Sequence, residues 1–215
     1  YIQAGVSTGL NPAFGHYGLQ IEWMPVIFFV LRARYDLFSY FGDFASLLSF
    51  SSADALFGKD EIDARSGDEE TTTGHRFLIR PSLRAKLGPV YIQNQSDFAY
   101  YMFNGKGPYF YEQMYNTLLQ DGDWVIANKT MLLFELWKGE RDAVFLFGPY
   151  YELTHAVKAD ITRQRLGGIF VWVPEDFIFK VSRARVYSQF GFNLEDRNRK
   201  KEFYFLIAMG FDVDL

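Results

Sequence analysis

The sequence predicts an all-β fold: about ten antiparallel strands in up-and-down order, closed into a membrane-spanning β-barrel that forms one domain over residues 1–215. Three observations carry that expectation. Apolar residues recur with period two over stretches of roughly ten residues. Tight turns alternate with longer, polar connections. Aromatic residues are abundant, with 23 Phe, 14 Tyr and 4 Trp in 215 residues. That much aromatic surface needs a very large core or an apolar solvent outside the protein.

The elements follow in chain order. Leu19, Ile21 and Trp23 share one strand face ahead of the tight turn at Met24-Pro25. Ile27, Phe29, Leu31, Ala33, Tyr35 and Leu37 then alternate with Arg32, Arg34 and Asp36. A long connection from Tyr40 to Gly74 follows, in which Phe44, Leu47 and Leu48 after Asp43 have the spacing of a short helix. From His75 to Leu87, Phe77, Ile79, Pro81, Leu83, Ala85 and Leu87 oppose Arg76, Arg80, Ser82, Arg84 and Lys86, with Leu78 the exception. After the turn at Gly88-Pro89, Gln93, Gln95 and Asp97 form a polar ladder. Within the connection Asn104–Asp123, Tyr111, Met114, Tyr115, Leu118 and Leu119 carry a helical stripe. Read instead as strands, these two loop segments would raise the count to twelve.

Ala143, Phe145, Phe147, Tyr151 and Leu153 form the next apolar stripe, and His155–Gln164 is read as another long loop. Gly167-Gly168 belongs to a strand and is not a phosphate loop. Phe177, Phe179 and Val181 face outward, so Arg183 and Arg185 reach the inner face only through a bulge near Ser182. Asn193–Lys201 is the last loop. In the final strand Phe203, Phe205, Ile207, Met209, Phe211, Val213 and Leu215 oppose Ala208, Gly210, Asp212 and Asp214. Trp23, Trp137 and Trp172 each lie near a tight turn, at one common depth, as an interfacial girdle requires.

Several classes are excluded or disfavoured. The longest apolar run, Met24 to Leu31, is broken by Pro25 and far short of the roughly 20 residues of a transmembrane helix. Cysteine is absent, which rules out disulfides and thiolate metal sites. A net charge of −4 argues against nucleic acid as a partner. Tyr1-Ile2-Gln3 already reads as strand, so an exported chain is expected here in mature form, its signal peptide removed. Period two alone does not separate a lipid-facing stripe from the core of a soluble, lipocalin-like barrel. Five or six large apolar residues per strand would overfill a small interior, so the stripes are expected to face lipid.

Nearly the whole chain resembles a bacterial outer-membrane β-barrel protein. The ending Gly210-Phe211-Asp212-Val213-Asp214-Leu215 is similar to the C-terminal barrel-assembly signal, with Leu215 in place of the usual aromatic. The resemblance implies an outer-membrane location. It also implies contact with outer-membrane lipid and lipopolysaccharide, assembly by the barrel-assembly machinery, and long outer loops able to bind a protein partner.

With the stripes in lipid, the opposite faces line a lumen. Its expected lining is Arg32, Arg34, Asp36, Arg76, Arg80, Arg84, Lys86, Gln93, Gln95, Asp97, Lys180, Arg183 and Arg185, with Glu22, Glu135 and Glu152 as further acids. Basic groups outnumber acidic ones there, and the compensating acid gathers in Lys59–Thr73, read as a solvated loop. Two readings follow. One is a narrow, porin-like channel favouring small anionic solutes. The other is a plugged barrel, its arginines paired internally, acting as an anchor or through its loops.

A hydrolase site at the outer rim is the weaker third reading. His16, His75 and His155 stand at strand ends, with Glu152 and Asp160 near His155, but no serine has a nucleophile context. No catalytic residue, metal ligand set or cofactor is assigned; the acidic loop lacks the spacing of a calcium loop.

Overall fold

The computed structural model describes the chain except residues 11, 43–46, 140–142, 175–180, 199 and 214–215 and the side chains of 181–184 and 211–213. Its elements are β1 (Ile2–Leu10), β2 (Phe14–Val26), β3 (Phe29–Phe41), β4 (Ser49–Phe50), α1 (Lys59–Asp63), β5 (Thr71–Leu87), β6 (Val90–Phe103), β7 (Tyr109–Glu112), β8 (Thr117–Gln120), β9 (Asp123–Lys138), β10 (Val144–Ala156), β11 (Ile161–Val173), β12 (Val181–Glu195) and β13 (Phe203–Val213).

Ten strands form one antiparallel sheet in the order β1-β2-β3-β5-β6-β9-β10-β11-β12-β13. Each strand pairs with its sequence neighbours within the sheet, the up-and-down order that the alternating turns predict. No pairing joins β1 to β13 among the described residues, so the sheet has two edges. It is strongly curved all the same: Lys129 of β9 donates to Gln189 of β12 at 3.2 Å, across two intervening strands. Glycines permit the bending. A Cβ on Gly148 would lie 1.8 Å from the Leu132 carbonyl oxygen, and one on Gly167 1.9 Å from that of Phe190. Only glycine allows backbones to approach so closely.

Alternation fixes the two faces. Phe77, Ile79 and Leu83 are exposed on the convex side of β5, whereas Arg76, Leu78 and Ser82 are buried on the concave side. Trp23, Trp137 and Trp172 are all exposed, and Phe145 is the pairing partner of both Trp137 and Trp172. The β12–β13 register shifts between Ser182 and Arg185, where a bulge was expected.

The loops depart from expectation more than the strands. The stripe from Tyr111 to Leu119 is no helix: β7 and β8 form a hairpin, joined by β4 into a separate three-stranded sheet. Antiparallel pairing and burial against the large sheet override the local helical spacing. These strands lie outside the ten-stranded sheet, which removes the twelve-strand alternative. The helix expected from Phe44 falls largely outside the described residues. The acidic segment holds α1, and Glu70 at its end is buried, accepting from the Lys106 backbone at 2.7 Å. The connection expected over His155–Gln164 shrinks to residues 157–160, because β11 begins at Ile161. No helix among the described residues is long and apolar enough to cross a membrane.

Candidate functional site: a divided concave face

The concave face is divided along the strands into three layers. At the end carrying the long loops, Phe38, Tyr40, Tyr101, Phe103 and Val125 project from β3, β6 and β9 into a continuous apolar core. The hairpin β7–β8 completes it, with Phe110, Leu118 and Leu119 at 0–1% exposure. The Phe103 and Phe110 rings meet at a tilt, 4.0 Å between centroids, joining strand to hairpin. The long loops therefore fold back into the space that the sheet encloses.

Beneath this core lies a layer of ion pairs. Asp36, fully buried, accepts from Arg34 Nε at 2.6 Å and from Arg76 Nη2 at 2.7 Å. Arg80 grips Asp97 with two parallel bonds of 2.6 and 2.7 Å. The bidentate geometry suits a planar guanidinium meeting a carboxylate. Tyr115 reaches down from the hairpin and donates to the second Asp97 oxygen at 2.8 Å, while Arg76 also touches Met114. On the opposite wall Glu152 meets Arg163 at 3.1 Å and Arg165 at 3.8 Å. A polar chamber of about 220 Å³ remains between these walls, bordered by Gln95, Lys129 and Thr154 among others.

The third layer, toward the tight turns, is unlike the other two. Leu133, Leu146 and Ile169 are buried on the concave face, flanked by Met131, Val171 and Tyr187. They line an open cavity of about 820 Å³ that also touches Phe28 of the β2–β3 turn. Arg84, Lys86, Gln93 and Arg185 border it, with Lys129 at its junction with the polar chamber.

Comparisons with family models, with curated proteins and with solved structures find no match.

The residues expected to line a lumen distribute unequally over these layers. Arg34, Asp36, Arg76, Arg80, Gln95 and Asp97 belong to the ion-pair layer. Arg32 stands apart, bonded to Glu22 at 2.6 Å. Arg84, Lys86, Gln93 and Arg185 border the apolar cavity, where Lys86 meets Glu135 at 3.0 Å. Lys180 lies outside the described residues, as does the Arg183 side chain.

Sequence reasoning missed Lys129, Arg163, Arg165 and the descending Tyr115. The alternation Ala127, Lys129, Met131 and the spacing Arg163, Arg165 were available. Placing 155–164 in a loop hid Arg163.

The histidines do not converge. His16 lies 3.1 Å from Arg34 Nη2, His75 pairs with Tyr35 at 2.7 Å, and His155 with Thr162 at 2.9 Å. Glu152 and His155 stand on opposite faces of β10, because an odd separation in a strand reverses direction. No cluster of metal-ligating side chains occurs among the described residues.

Proposed function

We propose that this chain is an outer-membrane β-barrel whose lumen is plugged, a binding or anchoring barrel rather than an open anion channel. Its convex face supports the membrane reading. Large apolar side chains are exposed along nearly every strand, among them Phe77, Ile126, Phe134, Phe205 and Ile207. A soluble monomer rarely exposes contiguous apolar surface beyond a few hundred Å². Strands β2, β3, β5, β6 and β9–β12 have 13–17 residues, more than the roughly 9–11 that a tilted strand needs to cross a bilayer. Trp23, Trp137 and Trp172 mark one interface near the tight turns, and Trp124 with Tyr100 the other. In a bilayer the open edges of β1 and β13 would carry unsatisfied backbone groups, so the two strands close on each other there.

The observation that carries the plugged reading is the Tyr115 hydroxyl on Asp97, itself locked to Arg80, beneath a hairpin whose Phe110, Leu118 and Leu119 are buried. Arginines that would select anions in a channel are here spent on Asp36, Asp97 and Glu152. Planar-bilayer recording of the reconstituted protein tests it. No steady current is expected. A stable anion-selective current that reverses selectivity with Arg80→Glu would restore the channel reading.

A further inference from the structure

We infer that the concave face holds one long-chain fatty acid, its carboxylate in the polar chamber and its hydrocarbon tail in the cavity toward the tight turns. The inference rests on the plugged-barrel reading, since an open lumen would carry water through both spaces. The interior of a water-filled barrel is polar. Here the space below the ion pairs is walled by Leu133, Leu146 and Ile169, with Met131 and Val171 beside them. At about 820 Å³ it falls within the roughly 300–1,000 Å³ typical of small-molecule sites. Its walls are mostly apolar, with Arg84, Lys86, Gln93 and Arg185 at the border, and such a lining suits a hydrocarbon chain better than a hydrophilic solute.

The polar end is built for an anion. Four cations, Arg76, Arg80, Lys129 and Arg163, line the small chamber against two carboxylates, Asp97 and Glu152. Asp36 holds Arg76 from outside that lining, and Asp196 attracts Arg163. Lys129 is left over. Its Nζ bonds Gln189 Oε1 and lies above the Tyr150 ring, with no carboxylate in salt-bridge range among the described residues.

Arg163 supplies the second, independent mark. It is only 6% exposed, one of its nitrogens is bonded to Glu152, and Nη1 has no hydrogen-bond partner among the described residues. A buried guanidinium N–H without an acceptor is costly, and an incoming carboxylate would satisfy it. Lys129 borders both spaces, so head and tail sites adjoin. At about 220 Å³ the head chamber fits a compact carboxylate better than a bulky phospholipid headgroup.

The test uses the full chain in a non-ionic detergent, with palmitate, hexadecanol and hexadecylamine added separately and adducts counted by native mass spectrometry. One saturable palmitate per chain is expected, with hexadecanol and hexadecylamine at least about tenfold weaker, the scale of one lost charge-assisted hydrogen bond. Lys129→Gln weakens palmitate by a similar factor, and Leu146→Trp, which fills the tail space, abolishes the adduct. Ile169→Phe replaces Leu146→Trp should the latter fail to fold, as judged by its unfolding curve. Palmitate binding no tighter than hexadecanol, or unmoved by Lys129→Gln, overturns the assignment. Conductance of the same preparation separates the two proposals: silence without a palmitate adduct removes the ligand alone, whereas steady current removes the plug.

Discussion

The two halves of the concave face come from the same strands and the same alternation, yet one is filled and the other hollow. Toward the long loops, inward Phe38, Tyr101 and Val125 meet Leu118 and Leu119 of the hairpin, and all five are at most 1% exposed. Toward the tight turns, inward Leu133, Leu146 and Ile169 have no such cover and border a cavity. Alternation decides which way a side chain points; it says nothing about what fills the space it points into. Filling needs chain that returns. The connections over 42–70 and 104–122 are long enough to return, and the turns at 27–28 and 88–89 are not.

The largest test of that contrast replaces residues 109–120 with a short Gly-Ser linker. The change strips the cover from the aromatic core and removes Tyr115 from Asp97. A fully buried leucine alone is worth about 2–5 kcal/mol, so the loss should exceed that of any single truncation. Urea unfolding followed by tryptophan fluorescence measures it, and bilayer current should appear in the folded fraction. If current stays absent, the filled half is sealed by something other than the hairpin.

Asp36→Ala comes next. Asp36 has no exposed surface and is the shared acceptor of Arg34 and Arg76, so its removal leaves the buried Arg76 guanidinium without its carboxylate and weakens the hold on the partly exposed Arg34. Breaking a buried pair in this way costs about 3–5 kcal/mol. The same unfolding experiment should show a lower midpoint. A change below about 1 kcal/mol would mean water already reaches this layer.

What the sequence made legible divides along the same line. The facing of Phe77 against Arg76, the ten-strand order and the bulge beyond Ser182 all follow from period two and turn spacing, which are local. The hairpin departs from the helical spacing of Tyr111, Met114, Tyr115, Leu118 and Leu119 because the residues packed with them lie on β3, β5, β6 and β9 and in the loop at Phe57. Those contacts are far apart in sequence and leave no local period. The pairing of Arg80 with Asp97 was foreseeable in kind, since a buried charge needs a partner. That Lys129 bonds an amide and no carboxylate, and that Arg163 Nη1 has no acceptor among the described residues, was not, because such a gap is visible only once the neighbours are in place.

A matched pair of leucine truncations sharpens the comparison at smaller scale. Leu118→Ala, in the filled half, should cost about 2–5 kcal/mol, because the closed packing cannot collapse onto the void. Leu146→Ala, on the cavity wall, should fall at or below about 2 kcal/mol, since its neighbours already line empty space. Equal losses would mean that both halves are packed alike in the membrane.

The smallest expected effect is a pH dependence confined to the filled half. Glu112 of β7 is buried in the hairpin, where it accepts from the Tyr115 backbone N–H at 2.7 Å. Burial pushes its carboxyl above the usual glutamate range. The backbone N–H groups of Tyr115 and Met114, the Arg76 charge and the Tyr101 hydroxyl pull it back only in part. A raised pKa in the folded protein means that the folded state holds this proton more tightly than the unfolded chain. The stabilisation is therefore complete at pH values below the ordinary glutamate range, and it is lost as pH rises through the folded pKa. Unfolding midpoints should fall over that interval, and Glu112→Gln, which keeps an acceptor for Tyr115 without a titrating proton, should flatten the fall. Lys129→Gln, outside the hairpin, should leave it in place; if instead it flattens the curve and Glu112→Gln does not, the titrating group belongs to the hollow half.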